Sequence, residues 1–157
     1  MTTRLYLVTV VLVVACAMTG LGMGLEVSVG TGPSVSFGAT WDLSPNLTLV
    51  TSFGVAFGGR VQTGSSTVQS TSYTVGVELR YHVRLASPSI RPYLGFGAFV
   101  RMGGGDVSVL LASSTGVQIR MSPNIYLFGE GAVFVPILDV SGWYWRLKLG
   151  VGFRFQF

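Results

Sequence analysis

The chain has 157 residues, enough for one domain, and is 49% hydrophobic but only 10% charged, against about 25% charged in an average soluble domain. Its formal net charge of +4 comes from basic residues spread without a cluster, which argues against nucleic acid as a partner, and its single cysteine, Cys16, excludes an intrachain disulfide or a cysteine-built metal site. No 18-residue apolar run follows the N terminus, so helical membrane spans are excluded as well.

Met1 to Ala17 reads as a signal peptide, with Arg4 in a short basic region and an almost wholly apolar stretch from Leu5 to Ala15. Ala15-Cys16-Ala17 offers an A-x-A cleavage site, leaving one domain over 18–157. Val13-Val14-Ala15-Cys16 also resembles a lipoprotein box, which would lipidate Cys16. Simple cleavage is favoured, because a tether so close to the first strand is redundant.

From there the chain alternates apolar and polar residues, the period of a β-strand. Leu25, Val27 and Val29 alternate with Glu26, Ser28 and Gly30, predicting a first strand over 22–31. After Gly32-Pro33, Val35, Phe37, Ala39 and Trp41 share one face of a second strand. A turn at 43–46 leads to a third strand over 47–57, and the polar, Gly-rich stretch 58–70 reads as a loop. In the fourth strand Tyr73, Val75, Val77, Leu79, Tyr81 and Val83 oppose Thr74, Gly76, Glu78, Arg80, His82 and Arg84. The fifth sets Leu94, Phe96, Ala98 and Val100 against Tyr93, Gly95, Gly97, Phe99 and Arg101. A loop over 102–112 follows, then a weakly patterned sixth strand over 113–121 with Gln118 and Arg120 on its polar face. The seventh spans 125–135 and includes Glu130. All six prolines fall in the turns and loops of this reading. SPNLTLVTSFGVAF (44–57) resembles SPNIYLFGEGAVFV (122–135), an echo offset by 78 residues, as two four-strand halves would give.

The last stretch, Trp143 to Phe157, decides the class. Trp143, Trp145, Leu147, Leu149, Val151, Phe153, Phe155 and Phe157 are all apolar, and Tyr144, Arg146, Lys148, Gly150, Gly152, Arg154 and Gln156 lie between them. Trp145 and Phe155, ten residues apart, are separated by roughly 25 Å along a bilayer normal for a strand tilted about 40°. That matches the apolar band of a transmembrane barrel, with aromatic rings at its rims, while a lipid-facing Arg or Lys at mid-depth would cost about 2–4 kcal/mol. The expected fold is therefore all-β: an eight-stranded antiparallel up-and-down transmembrane barrel, with both termini periplasmic. The rival is a soluble barrel with the grease inside. The long, aromatic-tipped closing strand and an exterior otherwise poor in Lys, Glu and Asp count against it.

Gly152, Phe155 and Phe157 resemble the C-terminal assembly signal of outer-membrane barrels, although the polar position of that signal falls here on Gly150. With eight strands and short turns, the chain resembles the small outer-membrane family that includes the OmpA transmembrane domain and OmpX. The resemblance implies location in the bacterial outer membrane. It implies outer-membrane lipid as surroundings, with periplasmic chaperones and the barrel-assembly machinery as partners during biogenesis, and a monomeric state. Trp41, Tyr73, Tyr81, Trp143, Trp145 and Phe153 form the expected aromatic girdle.

Glu26, Glu78, Arg80, His82, Arg84, Arg101, Gln118, Arg120, Glu130, Arg146, Lys148 and Arg154 are the candidate lumen residues. Eight strands enclose little more than side-chain volume, so they form either a paired polar plug or, because basic residues outnumber acidic ones, a narrow anion-leaning pore. No catalytic residue, metal or cofactor is expected. His82 is the only histidine, and its predicted place near the periplasmic end is wrong for the lipid A hydrolases of this size class. The expected role is structural, in envelope integrity or loop display. The alternative is a minor pore or a channel for small hydrophobic molecules as in OmpW-like barrels.

Overall fold

In a computed structural model, the described residues are 22–63, 66–87, 89–103, 105–138 and 142–155, with side chains over 58–70 outside the description. The proposed signal peptide, Cys16 and Phe157 lie outside these residues. Eight strands follow in order: β1 Met23–Gly30, β2 Ser34–Ser44, β3 Leu47–Thr63, β4 Ser66–His82, β5 Ile90–Gly103, β6 Asp106–Ser122, β7 Ile125–Pro136 and β8 Tyr144–Phe155. Each pairs antiparallel with the next, and β8 pairs back onto β1 to close the barrel, Met23 opposite Phe155 and Gly30 opposite Lys148. Closure leaves no free sheet edge, so the backbone hydrogen bonds are satisfied without water, as a bilayer demands.

The alternation sorts the side chains as the sequence predicts. Leu149 and Trp145 of β8 are 69% and 61% exposed, whereas Arg146 and Lys148 point inward and are partly buried. The same parity places Leu25, Val27 and Val29 of β1, Val75, Val77 and Leu79 of β4, and Leu94 and Phe96 of β5 outward. Trp41, Tyr81 and Phe153 lie on the outer surface toward the end that carries the termini, and Tyr73 and Trp145 toward the other. Trp143 is exposed but sits just before β8 rather than within it.

Three expectations are corrected. The stretch 58–70 is not a loop: β3 and β4 pair through Gly59–Ser70 to Thr63–Ser66, past a bulge between Ala56 and Gly59. The stretch 102–112 is likewise a hairpin, with β5 reaching Gly103 and β6 starting at Asp106. The sixth strand's pattern is weak because both its faces are apolar there, Val109 and Leu111 outward and Leu110 and Ala112 buried inward. Finally, Pro92 and Pro136 lie inside strands. Both sit near a strand end, where a missing N–H costs least, and the Pro92 carbonyl still accepts from Val83 N at 2.8 Å.

The 78-residue echo has a geometric counterpart. Bulges fall between Asp42 and Ser44 and between Arg120 and Ser122, and the turn carbonyls of Asn46 and Asn124 accept from His82 N and Arg154 N, at 2.7 and 2.8 Å. Gly32 and Gly105 take positive φ (70° and 88°) at two hairpin tips of the opposite end.

Candidate functional site in the barrel lumen

The interior is built in three tiers. The middle tier centres on Arg80, which is 2% exposed. Its Nη1 donates to both oxygens of Glu26 (2.8 and 2.9 Å), its Nη2 to Glu130 Oε2 (2.9 Å) and its Nε to Glu78 Oε2 (3.2 Å). Lys148 Nζ reaches the other oxygen of Glu130 at 2.8 Å. Hydroxyls complete the shell: Tyr93 donates to Glu130, Tyr126 to Glu26 (both 2.9 Å), and Ser114 to Glu78 through a short hydrogen bond. The guanidinium also lies over the Tyr93 ring, 4.9 Å from its centroid. Three buried carboxylates thus meet two cations, and a planar fork with five donors is what allows one side chain to bridge all three.

The register explains how so many large groups fit. Glu26 lies between Gly38 and Gly152, Glu78 beside Gly97, Arg80 beside Gly95, and Glu130 beside Gly116. Each long charged side chain therefore crosses the lumen over a neighbour that has none. The aromatic residues use the same device: a Cβ at Gly150 would stand 2.5 Å from Phe128 Cζ, and one at Gly76 would collide with the Phe99 ring. Beside Arg80 and Lys148 the remaining cavity is only about 10 Å³, room for about one water.

Toward the hairpin end the lumen turns apolar. Phe99, Leu110, Ala112, Ala132 and Phe134 form a buried cluster, with Tyr144 packed against it. Phe134 meets Phe99 edge-on at 5.4 Å and stacks on Tyr144 at 5.1 Å. Arg146 lies over Phe134 and Arg101 over Tyr144, each 5.4 Å from the ring centre.

At the end that carries the termini, Thr48 Oγ1 donates to Asp42 Oδ1 (2.8 Å) and lies 3.1 Å from His82 Nε2. Because the Thr48 proton goes to Asp42, the imidazole must donate through Nε2. The order carboxylate–hydroxyl–imidazole is the reverse of a nucleophile activated by a base, so this trio is not arranged for acyl transfer. Arg154 completes it, its Nε 3.3 Å from Asp42 Oδ2.

Of the twelve candidate lumen residues, Glu26, Glu78, Arg80, Glu130 and Lys148 converge in the middle tier, Arg101 and Arg146 cap the aromatic tier, and His82 and Arg154 join Asp42. Gln118 is buried and lines a small cavity at the termini end. Arg84 and Arg120 are exposed rather than enclosed. The first lies beyond the last residue of β4, and the second sits at the bulge that ends β6. Five participants in the polar tiers were not among the sequence candidates: Asp42, Thr48, Tyr93, Ser114 and Tyr126. Parity was signal enough for Tyr93 and Tyr126, since each shares the inward face of its strand with a candidate residue, Arg101 or Glu130.

A closed ladder wrapped in an apolar surface belongs in a membrane. Among solved structures, the chain is similar to the N-terminal β-barrel domain of Pseudomonas aeruginosa OprF, with TM-score 0.68 and 14% identity over 85% of this chain and 97% of that one. It is also similar to Neisserial surface protein A, with TM-score 0.59 and 19% identity over 87% and 95% of the two chains. A major outer membrane protein from Thermus thermophilus matches with TM-score 0.59 and 16% identity, over 85% and 99%. The fold is that of the small bacterial outer-membrane barrels. No protein-family model and no curated relative matches the chain. The likeness therefore rests on architecture, and the lumen residues stand on their own geometry.

Proposed function

We propose that this chain is a non-conducting integral barrel of the bacterial outer membrane, with a structural role in the envelope and with its β3–β4 and β5–β6 hairpins displayed outward. The observation that carries the reading is the caging of Arg80 by three carboxylates next to a buried aromatic cluster. An ion passing this point would have to displace a buried, multiply hydrogen-bonded guanidinium, and breaking such a pair costs about 3–5 kcal/mol. The reversed Asp42–Thr48–His82 order speaks for a role without catalysis. The chain works as a monomer in outer-membrane lipid. During biogenesis, chaperones deliver it to the assembly machinery, with Gly152, Phe155 and Phe157 as the recognition signal.

The test is planar-bilayer recording of the refolded protein. A quiet baseline is expected. Stable unit conductance steps would overturn the plug and favour the minor pore; uptake of small apolar molecules into vesicles would favour the lateral channel.

A further inference from the structure

The end of the barrel that carries the termini holds a cavity of about 390 Å³, lined among others by Asp42, Asn46, His82, Arg84, Arg91 and Arg154. Three guanidiniums share it with one carboxylate, Asp42, which is already held by Arg154. Arg84 spends its Nε on Asn46 Oδ1 (2.7 Å) and Arg91 one Nη on the Pro45 carbonyl (2.8 Å). Among the described residues neither has a carboxylate within ion-pair distance. Arg91 and Arg154 also line the adjoining smaller cavity, which Arg120 borders. The wall includes His82, a fully buried ring whose Nδ1, the lone-pair nitrogen once Nε2 donates to Thr48, has no hydrogen-bond partner among the described residues and so serves as a reporter rather than a donor. Gathering like charges around a cavity destabilises a fold unless something of opposite sign enters, and the neutral hydrogen bonds of Arg84 and Arg91 leave both charges uncompensated among the described residues.

We propose that this cavity is a binding site for a phosphate group, held by Arg84, Arg91 and Arg154 at the barrel's inner mouth. The unspent donors come from three different strands or strand ends and outnumber what the two oxygens of a carboxylate can accept, whereas a phosphate offers three or more. Inorganic phosphate and the headgroup of an inner-leaflet phospholipid share this chemistry. The site does not depend on whether the lumen conducts, because it lies outside the Arg80 tier.

The experiment uses the refolded full barrel in a phosphate-free detergent with ¹⁵N-labelled histidine. His82, the only histidine in the chain, then reports from the cavity wall. Inorganic phosphate is titrated in one arm and short-chain phosphatidylglycerol in the other, at constant ionic strength. Saturable movement of the His82 Nδ1 resonance is expected, with affinity weakened about ten-fold or more in Arg84→Gln and in Arg91→Gln. Arg101→Gln, at the opposite mouth, should bind like the parent. Response to both ligands identifies the phosphate group itself as the determinant, and response to the lipid alone identifies the headgroup as its source. Absence of saturable binding in both arms, or equal weakening by Arg101→Gln, overturns the site. Heat-shifted gel mobility of each variant verifies folding, and the two arginines can be replaced singly or by lysine if a glutamine variant fails to fold.

Discussion

Replacing Arg80 by methionine removes the hub of the middle tier and leaves an unbranched apolar side chain in its place. Glu130 would keep Lys148 and the Tyr93 hydroxyl, but Glu26 would be left with Tyr126 and Glu78 with Ser114 as side-chain partners. Two buried carboxylates thus lose their only cation among the described residues. Breaking a buried pair by removing one partner costs about 3–5 kcal/mol, and a single lost charge sets that scale rather than its multiple. With a denaturant slope near 2 kcal/mol/M, the urea midpoint of the barrel in lipid vesicles should fall by about 2 M. Unfolding would be followed by tryptophan fluorescence and by the heat-dependent gel shift. Adding Glu26→Gln and Glu78→Gln to Arg80→Met should recover most of the loss, because the stranded charges are then gone. Arg80→Lys should recover little, since an ammonium cannot reach three carboxylates with a planar fork. A midpoint within about 0.3 M of the parent, or a triple variant as weak as Arg80→Met, would refute the account of the network.

The remaining predictions concern packing and lipid contact. Gly76→Ala and Gly150→Ala place a methyl against the Phe99 and Phe128 rings and should each cost about 1–3 kcal/mol, whereas Gly129→Ala, whose Cβ stands 3.4 Å from Leu149 Cδ2, should be near neutral in the same urea series. Leu149→Arg, at the middle of β8, should lower vesicle-folded stability by about 2–4 kcal/mol, while Val107→Arg, equally exposed but one residue into β6 from the hairpin tip, should cost about 0–1 kcal/mol. Equal effects at the two positions would mean that the apolar band does not lie where the girdle residues put it.

Parity made the strands and their two faces legible, because a period of two survives wherever one face is greasy and the other is not. It failed where both faces are apolar, at Leu110 and Ala112, and where neither is, over 58–70; there the ladder continues on backbone pairing that leaves no side-chain pattern to read. The charged lumen residues could be named from parity as well, but not their partners. That Glu26 and Arg80 meet across the barrel depends on two strands 54 residues apart and on the glycines that face them, which only the closed register brings together. Asp42 was within reach of parity, since it continues the inward face of Thr40, but it stands at the strand end, last before the bulge and beside the expected turn.

Register also bears on the inference from charge, in support of the proposed plug. Counted along the chain, basic residues outnumber acidic ones by four, which suggests a lumen that prefers anions. Arranged by tier, the middle of the lumen holds Glu26, Glu78 and Glu130 against Arg80 and Lys148, and the positive surplus sits at the two mouths, with Arg101 and Arg146 at one and Arg84, Arg91, Arg120 and Arg154 at the other. An anion entering from the termini end would next meet a tier of net negative charge, where unit charges about 4 Å apart interact by roughly 4 kcal/mol at an effective dielectric near 20, and one entering from the hairpin end would meet the aromatic tier first. A cation that tolerated that tier would face the guanidiniums of a mouth and, on the hairpin side, the apolar Phe99–Phe134–Tyr144 stack. On the proposed reading, the basic surplus at the termini end serves capture there rather than passage through the barrel.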